Sequence, residues 1–164
     1  MVVVLVEGES DAAALRTLAL RLGGSVPRIV PLGGSKGIRR ALDGLSSERV
    51  LGLVDAGERR DFETVLDEVF VCDPDLESEF IRALGIDGVE AVIEREGELA
   101  SFRRMQRQVS IRDLPPEGQL HRFLSGRSGN KLRYATLLAE AVDPCRIPPP
   151  LATLLAALDV GGRL

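Results

Sequence analysis

Four short apolar runs mark the first half of the chain: Val2–Val6, Arg28–Leu32, Val50–Val54 and Val69–Cys72. They are rich in valine, isoleucine and leucine, and each is short enough for a strand. Val2–Val6 has no polar position at all, the pattern of a strand buried on both faces of a parallel sheet. Between the runs the spacing of apolar residues becomes helical, near residues 10–22, 36–45 and 59–68. In the first of these, Ala14, Leu15, Leu18, Ala19 and Leu22 form one stripe. Turn chemistry separates the segments at Gly23-Gly24-Ser25, Gly33-Gly34-Ser35 and Gly57. Strand alternating with helix predicts an α/β fold with a parallel sheet flanked by helices. Beyond residue 75 no strand pattern remains. Helical patterns follow near 76–84, 87–95, 98–107, 117–125, 130–141 and 151–158. Pro115-Pro116 punctuates them, and Pro148-Pro149-Pro150 reads as a stiff connector to a short final helix. Ser10 is the expected cap of the first helix. Asp73 is expected to cap the helix after the fourth strand, with Pro74 at its first position.

This pattern places acids at strand ends. Glu7 follows the first strand and Asp11 lies one helical turn further on; Asp55 ends the third strand. The fourth runs into Asp73-Pro74-Asp75-Leu76-Glu77-Ser78-Glu79. In a parallel sheet all these ends share one edge, where open α/β sheets bind ligands. Crowded carboxylates repel one another and hold each other's pKa values up, and divalent cations relieve the repulsion. Each acid also has a plainer reading. Asp55 is a turn aspartate, and acids in a first helical turn complement the helix dipole.

With 164 residues, 45% of them hydrophobic, the chain has material for one real core. Tryptophan is absent, so that core must be mainly aliphatic. Cys72 and Cys145 lack a Cys-x-x-Cys partner, and His121 is the only histidine, which leaves poor material for a thiolate or imidazole site. A metal would then be held by carboxylates, which favours Mg2+ or Mn2+. No apolar run approaches membrane-spanning length, and Met1 leads directly into the first strand, so a cytoplasmic location and no membrane partner are expected.

The net charge of −4 hides an asymmetry: residues 1–100 carry −9, residues 101–134 carry +6, and the remainder −1. An acidic module followed by a basic one suits a metal site beside a phosphate-binding surface, although most charge runs are simply solvated faces. Within the basic segment, Arg103, Arg104 and Arg107 are candidate nucleic-acid contacts. The stretch Ser125-Gly126-Arg127-Ser128-Gly129-Asn130-Lys131 is a cationic Gly/Ser loop opening a helix, a good setting for a phosphate contact. Lys36 lies in a second glycine-rich turn, Gly33-Gly34-Ser35-Lys36-Gly37, whose spacing does not fit a Walker A loop.

Glu7-Gly8-Glu9-Ser10-Asp11 resembles the first motif of Toprim domains, and most of all that of the OLD (overcoming lysogenization defect) nucleases. Asp55-Ala56-Gly57-Glu58 is similar to their Asp-x-Asp motif, with Gly57 in place of the second aspartate, as in small free-standing actinobacterial-type Toprim proteins. Asp75-Leu76-Glu77-Ser78-Glu79 resembles the acidic stretch at their fourth strand end. The resemblance implies a Toprim core over residues 1–100 and a helical extension over 101–164. It implies a DNA endonuclease or nicking domain using Mg2+ or Mn2+. Glu7, Asp11 and Asp55 would be metal ligands, with Glu58, Asp75, Glu77 and Glu79 as further candidates. Glu7 is also the implied general acid or base. Lys131 would stabilise charge on the cleaved phosphate, with Arg127 as the runner-up. DNA, bound without sequence preference, is the expected partner. A separate ATPase and a second copy of the chain are further candidates, since no ATPase motif occurs here. The alternative is a catalytically impaired binding or regulatory module that acts with a partner ATPase, Gly57 having replaced the second aspartate. Topoisomerase-style covalent chemistry is disfavoured because the only tyrosine, Tyr134, lies in a helical pattern.

Overall fold

The computed structural model describes residues 2–45 and 48–160. Four parallel strands, β1 (Val2–Val6), β2 (Arg28–Pro31), β3 (Arg49–Asp55) and β4 (Glu68–Cys72), form one sheet in the order β2-β1-β3-β4. Helices α1 (Glu9–Arg21), α2 (Ile38–Asp43) and α3 (Arg59–Glu63) connect them. Six more follow: α4 (Leu76–Arg95), α5 (Leu99–Gln106), α6 (Val109–Arg112), α7 (Pro116–Ser125), α8 (Asn130–Ala141) and α9 (Pro149–Val160). The strands occur where the apolar runs predict them. The single turn α6 has no counterpart in the predicted pattern.

Strand alternation divides the core in two. Val4, Val6, Leu51 and Leu53 face a large cluster built with α1, α4, α7, α8 and α9. Val3, Leu5 and Val54 face a smaller one, closed by Ile38, Phe62 and Leu66. Helices α5, α7, α8 and α9 therefore share a continuous apolar core with β1 and β3. At its centre lie Phe102, Phe123 and Tyr134, stacked edge to face with ring centroids 5.2 and 6.0 Å apart. Among the described residues, no helix is long and apolar enough to cross a membrane.

Three local expectations need correction. Gly8, in an extended conformation, precedes α1, and Ser10 lies inside its first turn. The Asp11 carboxylate reaches back to accept the Gly8 N–H at 2.9 Å, serving the helix start better than a hydroxyl at position 10 could. Asp75, not Asp73, caps α4, because its carboxylate accepts the Ser78 N–H at 2.9 Å across the usual three-residue spacing. The Pro74 carbonyl is turned instead to the Ala56 N–H, tying the exit of β4 to that of β3. Lastly, Pro149 and Pro150 belong to the first turn of α9, where a missing N–H costs nothing, rather than to a connector. Gly85, at φ +74°, kinks α4 between the two helical patterns expected there.

Replacing Phe123 with alanine empties the centre of the aromatic cluster and should cost about 3–5 kcal/mol. Arg49→Ala, which breaks an exposed pair with Glu68, should change stability only slightly. Urea denaturation of both variants checks the contrast.

Candidate metal and phosphate site

Strand register brings the first two acids together. Val6 pairs with Leu53, so Glu7 and Asp55 leave neighbouring strands at the same edge, one and two residues beyond that pair. Asp55 itself pairs with Cys72, which sets the β4 exit loop beside it. The cap that starts α1 aims Asp11 back over the same edge. Glu58 follows in a 3-10 turn, Ala56–Glu58, and Glu77 points inward from the first turn of α4. Lys131 comes from the start of α8, and its Nζ lies 3.5 Å from Glu77 Oε1.

Burial and mutual repulsion raise the pKa values of three acids of the group. Burial, then the nearby charges of Asp11 and Glu7, push Asp55 up to about 7. Asp11 is raised to about 6, mainly by burial, against the opposing Gly8 hydrogen bond and Lys131. Glu7 is raised by burial and by Glu58. Burial alone would lower Lys131, but Glu77, Asp55 and Asp11 together hold it above the usual lysine value. Glu7 Oε2 and Glu58 Oε2 are buried with no hydrogen-bond partner. Orphaned, desolvated carboxylate oxygens beside protonation-prone acids are oxygen donors of the kind a hard divalent cation satisfies.

The remaining acids diverge. Asp75 is held low despite burial by its bonds to Ser78 and His121. Glu79 turns back to accept the Asp73 N–H at 3.0 Å and pairs with Arg82 at 3.1 Å. Sequence reasoning passed over His121 because it stands alone. In the fold its Nε2 lies 2.7 Å from Asp75 Oδ2. Asp75, Glu77 and His121 offer three ligand atoms within 4.8 Å of one another, an arrangement able to hold a metal ion. This group includes an imidazole where the sequence pointed to carboxylates alone. Position 121 lies 46 residues from Asp75, and only the packing of α7 on α4 joins them. No local sequence signal carries that information.

Much of the basic segment is answered within the fold. Arg103 donates to both carboxylate oxygens of Glu90, and Arg127 donates to Ser101 at 2.9 Å and lies 4.0 Å from Glu98. Arg104, Arg107 and Lys36 are exposed. Gly33 N–H donates to the Glu7 carbonyl at 2.9 Å, which sets the loop carrying Lys36 against the site edge. Tyr134 is buried, and its hydroxyl donates to Glu98.

No family model matches the sequence, and no curated protein matches it significantly. Solved structures do. The chain is similar to the C-terminal region of the Burkholderia pseudomallei OLD protein at 19% identity and TM-score 0.61, over 96% of this chain and 98% of that one. It is also similar to the C-terminal region of the Xanthomonas campestris pv. campestris OLD protein, phased with iodine, at 20% identity and TM-score 0.67, over 99% and 98%. The likeness spans nearly the whole chain and shows the fold: a Toprim-type, Rossmann-like parallel sheet with a helical C-terminal part.

The raised acids predict how the metal-free protein responds to pH. Asp11 and Asp55 have folded pKa values above those of free aspartate, so their protonated forms stabilise the fold at low pH. That contribution is lost as pH rises from about 4 through 7. In EDTA the melting temperature should fall over this interval, and Asp55→Asn should flatten the dependence. Differential scanning fluorimetry across the pH range tests it.

Proposed function

We propose that this chain is a divalent-metal-dependent phosphoryl-transfer domain acting on nucleic acid, most simply a DNA endonuclease or nicking domain. The observation that carries the reading is the convergence of carboxylates from three strand ends on a single lysine. Glu7, Asp11, Asp55 and Glu77 would hold the metal, and Glu58 would add the carboxylate that position 57 lacks. When bound, the cation supplies polarisation of a phosphoryl oxygen and a more acidic water. Lys131 donates to a non-bridging phosphate oxygen where negative charge grows. Glu7, raised by its surroundings, moves a proton at the attacking or leaving oxygen. Asp75, fixed by Ser78 and His121, keeps the start of α4 in place so that Glu77 stays aimed at the site. Exposed Arg104, Arg107 and Lys36 add phosphate contacts, and pairing with an ATPase or a second copy remains part of the proposal. The OLD proteins that share this fold support it by likeness.

One observation favours the second reading, a binding or regulatory module without cleavage. Gly57 puts no side chain into the site, and a Cβ built there meets nothing within 4 Å.

Supercoiled plasmid should be nicked or linearised in manganese. Lys131→Ala should lower the single-turnover rate by about 100-fold or more while changing DNA affinity only a few-fold. Equal losses would reduce Lys131 to a docking residue. Mg2+ or Mn2+ should raise the melting temperature, and Glu7→Gln with Asp55→Asn should abolish that shift.

Gly57→Asp fits the space and should tighten metal binding. If only this variant cleaves, the regulatory reading holds for the natural chain.

A further inference from the structure

We propose that the cavity between α4 and α7 receives an unpaired nucleobase next to the phosphate that meets the carboxylate cluster; this rests on the function proposed above and adds the substrate class, a single-stranded or locally unstacked strand. The cavity has a volume of about 370 Å³ and is lined by Pro74, Ser78, Ile81, Arg82, Glu117 and His121. Sites for small organic ligands begin at about this size. Its position ties it to the proposed chemistry. Asp75 lines it too, and that residue lies within 4.8 Å of Glu77 through the ligand atoms that also include His121.

The lining suits a flat, neutral group with polar edges. Two planar side chains border the space, and both are held in place. Asp75 fixes the His121 ring at 2.7 Å. Arg82 donates to the Asp73 carbonyl and pairs with Glu79 at 3.1 Å. Bases stack on imidazole and guanidinium planes, and a plane already held by hydrogen bonds loses little freedom on stacking. Ile81 and Pro74 supply apolar surface. Glu117 is exposed at the rim, where its carboxylate can accept from an exocyclic amine. A phosphate fits poorly, because Asp75 and Glu117 repel it and the Arg82 charge is already paired. A base in an intact duplex is stacked on both faces, so it reaches such a cavity only when unpaired or turned out of the stack.

The test is binding in EDTA, where cleavage plays no part. Fluorescence anisotropy compares a labelled ten-nucleotide single strand with a strand of equal length in which every sugar is abasic. The base-bearing strand should bind roughly tenfold more tightly. Gly118→Phe places a ring in the cavity from α7, where an added Cβ makes only ordinary contacts of 3.6 and 3.7 Å, and should erase the difference. Should that variant not fold, Arg82→Ala, which removes one stacking plane, should narrow the difference instead. Equal affinity for the two strands, no binding of either, or a preference untouched by a folded variant overturns the proposal. A preserved base preference without cleavage in manganese overturns the nuclease reading alone.

Discussion

The structure depends most on a concentration of negative charge at the carboxyl edge of the sheet. Parallel pairing of β1, β3 and β4 brings three chain exits to one place, and each carries acids. Burial removes the water that would screen them, so Asp11 and Asp55 hold protons far above their ordinary range. Lys131 is the cation that meets this cluster directly, and it comes from a helix more than fifty residues later in the chain. A protein can hold such a group only if the surrounding core is stable enough to carry the repulsion.

That core explains the helices that follow the sheet. Packing of α8 on α1 brings Lys131 to the β1–α1 junction, where Glu7 precedes the helix and Asp11 lies in its first turn. Arg21, at the end of α1, donates to the Ala139 and Val142 carbonyls and so fastens the far end of α8 as well. The Phe102, Phe123 and Tyr134 rings join α5, α7 and α8, and α7 in turn places His121 against the cap of α4. The helical part is thus the source of the positive charge and the imidazole at the site. The same helices pair other cations with Glu90 and Glu98 at the surface. The positive balance of residues 101–134 therefore overstates the positive charge left without an acidic neighbour.

Much was legible in the sequence. Four strands, the alternation with helices and the common edge of Glu7 and Asp55 follow from local apolar patterns, because burial on both faces of a sheet demands them. The acidic motifs could be read for the same reason: strand ends are local, and parallel order sends them to one side. Caps were less legible. Ser10 and Asp73 have the right chemistry, yet Asp11 and Asp75 perform the task, because small shifts in where a helix begins depend on hydrogen bonds to neighbouring loops. The Pro74 carbonyl bonded to Ala56 is such a case.

By itself the sequence determined the sheet, its direction and the supply of carboxylates at its edge, since these rest on periodicity and on residue type at each turn. Tertiary structure decided which acids converge and which are diverted. Glu77 turns to Lys131, whereas Glu79, two residues on along the same helix, turns back to Asp73 and Arg82. It also decided that His121 stands beside Asp75 and that Arg103 is spent on Glu90. These pairings join residues far apart in the chain through helix packing, and no short-range pattern encodes the distance between two side chains whose helices meet only in the folded core.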